Sequence, residues 1–148
     1  MGEIFREFDF ARAAVVTIAF EAVGVLMHFL GEVLFYFTWQ ITNGSVFLTV
    51  AIANAVGYPL LIASILIPVH WYFSKAQSGF VQGACLAMFS LFGLTILGRI
   101  ADIFFSDGVL GGFSDEIAIW IFILTASYGW LRANSVRMHL VQGLAERV

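Results

Sequence analysis

Three ionisable side chains share one side of the first long apolar segment of the chain. They are Glu21, His28 and Glu32, and they lie within the run AVVTIAFEAVGVLMHFLGEVLFYFTW at positions 14–39. At about 100° per helical residue, spacings of seven and eleven residues both return to within about 20° of the first side chain. Aligned carboxylates and imidazoles inside a membrane hold or relay protons and cations. The spacing therefore predicts a polar stripe, Glu21–His28–Glu32, that either carries charge or forms ion pairs with a neighbouring helix.

The segment that carries the polar stripe is long enough and apolar enough to cross a bilayer, which takes about 20 helical residues at about 1.5 Å each. A charge at the centre of a spanning helix costs about 3 kcal/mol on insertion scales. We therefore expect the stripe to face protein or water and not lipid.

The composition of the whole chain agrees with a position in the lipid bilayer. Of 148 residues, 61% are hydrophobic and 11% are charged, whereas soluble domains carry about 25% charged residues. The net charge is −3 and no basic cluster is present, so nucleic acid is not an expected partner. The single cysteine, Cys85, cannot form an intrachain disulfide and is typical of a small packing residue.

Polar turns divide the chain into four apolar segments. This pattern predicts an all-α fold, a single domain over residues 1–148 built as a bundle of four transmembrane helices. The apolar periodicity at both termini is compatible with amphipathic helices on the membrane surface, and a frayed polar end fits residues 1–12 equally well. The predicted transmembrane helices cover approximately 13–37, 46–73, 79–105 and 117–133.

The basic residues outside the third helix all fall on one side of this topology. The two loops on the other side contain none. By the positive-inside rule, both termini are expected in the cytoplasm and the protein in the cytoplasmic (inner) membrane. The residues on the basic side are Arg6, Arg12, Lys75, Arg132, Arg137 and Arg147.

The same topology predicts which polar groups lie at the same depth. Counted from the predicted helix ends, Glu32, Arg99, Asp102 and Asn54 fall in one outer layer. Arg99 stays protonated and needs a carboxylate, so we expect it to pair with Glu32 and Asp102 across helices 1 and 3. The candidate ion or proton pathway consists of Glu21, His28, Glu32, Asn54, Arg99 and Asp102.

The third helix has two sides that need packing partners. Gly79, Gly83 and Ala87 recur every fourth residue, a row that lets another backbone approach closely. Arg99 lies about 160–200° around the helix from the two glycines of this row. Other helices of the same chain or further copies could fill both sides, so we expect a homo-oligomer or a subunit of a larger membrane complex.

Cofactor signals in the sequence are weak. His28 and Glu32, four residues apart, could supply two metal ligands, but a site needs more from other helices and no H-E-x-x-H motif is present. His28 is central while His70 is near one membrane edge, which disfavours bis-histidine haem within one subunit. His70 and Trp71 fit a quinone site and an interfacial aromatic belt equally well. The identity of any cofactor stays open.

Two functions from different classes remain. In the first, the protein conducts protons or cations as an oligomer, with helix 1 lining the route and Arg99 setting its electrostatics. In the second, it is a non-catalytic structural or assembly subunit of a larger membrane complex, and the same charges serve packing. No candidate serine or threonine nucleophile lies at the same membrane depth as a histidine that could act as its base, so an enzyme is the less favoured class.

Overall fold

The computed structural model describes residues 8–104 and 115–145, and this part of the chain is helical with short turns. The all-α class is therefore confirmed. The first three helices are long and apolar enough to cross a membrane, the third over Phe80–Ile100. The helices are α1 Phe10–Ile41, α2 Val46–Phe73, α3 Phe80–Phe104 and α4 Asp115–Ala145.

Local chemistry fixes where α1 begins. The side chain of Asp9 accepts a hydrogen bond of 3.0 Å from the backbone N–H of Arg12, which satisfies a donor that the first turn leaves free. The same carboxylate pairs with the Arg12 guanidinium at 3.0 Å. The helix accordingly starts at Phe10, three residues earlier than predicted. Most of the segment for which a surface helix and a frayed end fitted equally well, residues 1–7, lies outside the described part.

The turn between α1 and α2 depends on a glycine. Asn43 and Gly44 both have positive φ, 52° and 78°, a conformation that disfavours most side chains. A Cβ on Gly44 would lie 3.2 Å from Cζ2 of Trp39, so the turn also has no room for one. The hydroxyls of Thr42 and Thr49 hydrogen-bond at 2.6 Å and hold the two helix ends together.

The four helices form a square in which α1 contacts α2 and α3, and α4 contacts the same two. The buried core lies towards the end that holds the start of α1, which we call the packed end. Four residues of α1 between Ala13 and Phe20 are buried, whereas none between Glu21 and Phe37 is. The other end, around the Thr42–Ser45 turn, is the open end. Aromatic rings in contact at the packed end belong to Phe8, Phe10, Tyr72, Phe73, Phe89 and Tyr128.

Glycines let α3 approach its two neighbours closely. A Cβ on Gly83 would lie 2.6 Å from the carbonyl oxygen of Thr125 and 2.9 Å from Cα of Ala126, both in α4. On another side of α3, a Cβ on Gly93 would lie 2.7 Å from Cγ2 of Thr17 in α1. The sides of α3 that carry Gly83 and Gly93 are thus filled by α4 and α1 of the same chain.

The predicted row of small residues is occupied by α4. Gly83 and Ala87 are buried, and the carbonyl oxygen of Gly79 lies 2.5 Å from the position that a Cβ on Gly129 would take. Nothing lies within 4 Å of a Cβ on Gly79 itself.

Helix α4 differs from the prediction in length. The sequence predicts a span over 117–133, short enough that it could begin earlier or continue beyond Arg132, and an amphipathic tail; the chain forms one helix from Asp115 to Ala145. Residues 130–142 contain neither glycine nor proline, so nothing in that stretch breaks the helix. Because α4 is not among the helices apolar enough to cross a membrane, its crossing stays a prediction.

We predict that alanine lowers the stability of the protein at Gly83 but not at Gly57. Gly83→Ala should destabilise the bundle by about 1–3 kcal/mol, because its Cβ would overlap the α4 backbone. Gly57→Ala, where nothing lies within 4 Å of the new Cβ, should be neutral or stabilising by up to about 1 kcal/mol, since alanine favours the helix. Thermal unfolding in detergent measures both, and equal midpoints for the two variants would contradict the α3–α4 contact.

Candidate functional site

Glu21 lies where the packed part of α1 ends. It follows Phe20, which is buried against the core. One carboxylate oxygen, Oε2, is closed to solvent and has no hydrogen-bond partner within the described residues. An unpaired buried carboxylate oxygen is costly, so this group is chemically unsatisfied in a single chain.

His28 and Glu32 lie beyond it, on the same side of α1, and pair with each other. The Nε2 atom of His28 is 3.5 Å from Oε1 of Glu32, and the side chains are 48% and 67% exposed. This separation exceeds the usual N–H···O hydrogen-bond range of about 2.7–3.2 Å. The pair is therefore loosely held and presents two free ligand atoms to the outside of the bundle.

Arg99 does not meet the polar stripe within the chain. Its side chain is exposed, and it lies about 120–180° around α3 from Ser90 and Gly93, which face α1. It shares its side of the helix with the exposed Met88 and Phe92. Within the described residues, the salt bridges are Arg12–Asp9 and His28–Glu32, so the expected Glu32–Arg99 pair is not formed in one chain.

The register of α1 and α3 explains this outcome. Thr17 Oγ1 and Ser90 Oγ form a hydrogen bond of 3.2 Å between the two helices, which run in the same direction. Arg99 lies six residues beyond Gly93 and nine beyond Ser90, at the level of residues 23–26 of α1. Glu32 is then about 9–14 Å further along the bundle at about 1.5 Å per residue.

The structure separates the other predicted pathway residues. Asn54 is exposed on α2, eight residues after the helix begins at Val46, and so lies in the half of α2 nearer the open end. The side chain of Asp102 lies outside the described part. Of the six predicted residues, the structure thus brings His28 and Glu32 into contact. Asn54 and Arg99 lie on the surface of the chain, and Glu21 is half-buried.

Polar pairs at the packed end were not predicted from the sequence. His70 Nδ1 and Tyr128 Oη are hydrogen-bonded, and the Arg12 guanidinium lies 5.6 Å from the centre of the Trp71 ring. The sequence shows these aromatic residues only as a candidate interfacial belt, since pairing between α2 and α4 depends on which helices are neighbours. The His70 ring therefore already has a protein partner.

A metal site is not complete within the described part of one chain, where no three His, Cys, Asp or Glu side chains are grouped to hold an ion. His28 and Glu32 supply two potential ligands, and a complete site needs others from outside the chain. Comparisons with protein-family models, curated proteins and solved structures find no match. The function is therefore argued from the geometry.

We predict that a disulfide will report the register of α1 and α3. In a Cys85→Ser background, Thr17→Cys with Gly93→Cys should cross-link within one chain, because Cβ of Thr17 is 3.7 Å from the position of a Cβ on Gly93, close to the about 3.8 Å typical of disulfides. Glu32→Cys with Arg99→Cys should not cross-link within one chain. Mass spectrometry of the oxidised monomer band distinguishes these results, and an intrachain disulfide in the Glu32→Cys, Arg99→Cys variant would contradict the register.

Proposed function

We propose that this membrane protein conducts protons or cations as a homo-oligomer, with the polar stripe of α1 lining the route where copies meet. The observation that carries the proposal is the exposed His28–Glu32 pair on a helix apolar enough to cross a membrane. Ionisable groups at such positions face a protein interior or a water-filled cavity. A second copy of the chain would supply the protein interior, and water between the two copies would supply the cavity.

Glu21 supports the same route. Its unpaired Oε2 oxygen lies seven residues, or about 10 Å, from His28 along the helix. That distance is too long for direct proton transfer, so water must bridge Glu21 and His28, whereas His28 and Glu32, 3.5 Å apart, need only a small side-chain shift to exchange a proton or share a cation. In this proposal both carboxylates hold the ion and the imidazole passes it on.

Arg99 and Asn54 have secondary roles in this proposal. Both are exposed on the single chain, so each lies where a neighbouring copy or its water-filled contact would be. A fixed positive charge at Arg99 disfavours other cations near it and so biases the electrostatics of the route. The excess of basic residues on one side supports an inner-membrane location with both termini in the cytoplasm.

The second candidate is a non-catalytic structural or assembly subunit of a larger membrane complex. The exposed Arg99 side of α3 favours it, because an arginine beside Met88 and Phe92 is suited to pairing with an acid of another protein. In that case the polar stripe would serve packing, and its neutralisation would break the complex without affecting any flux.

We predict that Glu21→Gln and Glu32→Gln each reduce ion flux to the level of empty vesicles while leaving the oligomer intact. Purified protein in liposomes, with a pH-sensitive dye inside and an imposed proton or K⁺ gradient, gives the measurement. Glu3→Gln is the matched control, because it makes the same change before α1 begins.

Two results would overturn conduction. One is wild-type protein that passes neither protons nor alkali cations under any gradient. The other is a pair of Gln variants that conduct normally but lose the oligomer or its thermal stability, which would assign the stripe to packing.

A further inference from the structure

We propose that two copies of the chain together bind one divalent transition-metal ion, such as Zn²⁺, through His28 and Glu32 of each copy. This inference rests on the proposed function in one respect, since both place the His28–Glu32 pair of α1 between copies. It adds the class of cation and the number of chains that hold it.

The two ligand atoms already have the separation that one edge of a tetrahedral site requires. Zinc binds imidazole nitrogen and carboxylate oxygen at about 2.1 Å, so a tetrahedral N–Zn–O angle sets these atoms about 3.4 Å apart. The observed distance from His28 Nε2 to Glu32 Oε1 is 3.5 Å. Residues four apart on a helix are a known chelating arrangement, because both side chains leave from the same face.

One chain supplies half of such a site. Two further ligands must come from outside, since the described part of the chain holds no third His, Cys, Asp or Glu beside the pair. A two-fold axis brings the same surface of a second copy opposite the first. Copies inserted in the same direction have α1 at the same depth, so two imidazoles and two carboxylates meet at one level and complete a four-ligand set.

Charge complementarity favours a cation between the copies. Two Glu32 carboxylates facing each other at membrane depth repel strongly when nothing lies between them. A divalent ion neutralises both, and the neutral imidazoles of His28 complete its coordination. A cation between the copies therefore removes the repulsion that would otherwise oppose their contact.

The backbone beside the pair has room for this approach. Gly31 directly precedes Glu32 and is exposed, and nothing of the same chain lies within 4 Å of a Cβ built on it. A small residue here lets the α1 helices of two copies come close. Beyond Phe20, the acidic and basic side chains of α1 are Glu21, His28 and Glu32, and the exposed Tyr36 is its one tyrosine.

Metal binding to the untagged full chain in detergent tests the proposal directly. Titration with Co²⁺ should give the intense visible absorption of a tetrahedral site, saturate at one ion per two chains, and be displaced by Zn²⁺. His28→Ala and Glu32→Gln should each weaken binding by at least about tenfold, the loss that removal of a mere outer-shell partner already causes. His70→Ala and His139→Ala are controls that should bind as the wild type does.

Saturation at one ion per chain, or unchanged binding in His28→Ala, would overturn the proposal. These variants keep the fold intact, because both side chains are exposed and form an ion pair only with each other in the described part. A different protein that co-purifies on this face in place of the second copy would overturn it as well.

Variants of two glycines distinguish the association of the copies from the binding of the metal ion. Gly31→Leu should abolish the dimer and the metal site with both ligands still present, because the added side chain fills the space between copies. Gly57→Leu makes the same change on α2, also with nothing within 4 Å of the new Cβ, and should retain both. Tight binding by a monomeric Gly31→Leu protein would overturn the two-copy site.

The outcomes also distinguish this inference from the proposed function. Metal binding is measured without any gradient, so half-stoichiometric binding in a protein that passes no ions overturns conduction and keeps the metal site. Proton flux in a wild-type protein that binds no Co²⁺ or Zn²⁺ overturns the metal site and keeps conduction.

Discussion

Polar side chains within a hydrocarbon layer need partners, because lipid offers them no hydrogen bonds. The described polar side chains meet that requirement unevenly; Tyr72 Oη and Thr125 Oγ1, for example, are buried without a hydrogen-bond partner within the described residues. At the packed end, Arg12 pairs with Asp9, His70 with Tyr128, and Thr17 with Ser90. Towards the open end, His28 and Glu32 have only each other and lie on the outside. Within the described residues, the polar stripe thus receives no hydrogen bond or ion pair from another helix.

The position of α3 explains why the polar stripe stays exposed. Its glycines bring it against α4 at Gly83 and against α1 at Gly93, both on the packed half of the bundle. Thr17 is the residue that Gly93 accommodates, four positions before Glu21. Beyond Phe20 no residue of α1 is buried until Thr38. The close contacts that build the core thus end where the ionisable residues begin.

The sequence predicts the helices well and their partners poorly. The length and apolarity of each segment identify α1, α2 and α3, and the predicted 46–73 and the observed Val46–Phe73 coincide. The Glu32–Arg99 pair was predicted by counting residues from the helix starts. This count assumes that helices 1 and 3 begin at the same depth and that the two side chains point towards each other. The contact of Thr17 with Ser90 sets a different register, and such a tertiary contact between distant residues leaves no trace in a single sequence. The continuous α4 was only one of two alternatives, because the periodicity of its tail is also typical of a surface helix.

Helix α4 is longer than a bilayer crossing requires. Its 31 residues extend over about 46 Å at about 1.5 Å each, well beyond the about 30 Å thickness of the hydrocarbon layer. The part of α4 between Gly129 and Gly143 contains no glycine or proline, so it is a regular, stiff helix that extends from the bundle. The exposed Met138 and Gly129, which lies in close contact with Gly79 and Phe73, thus belong to one continuous helix.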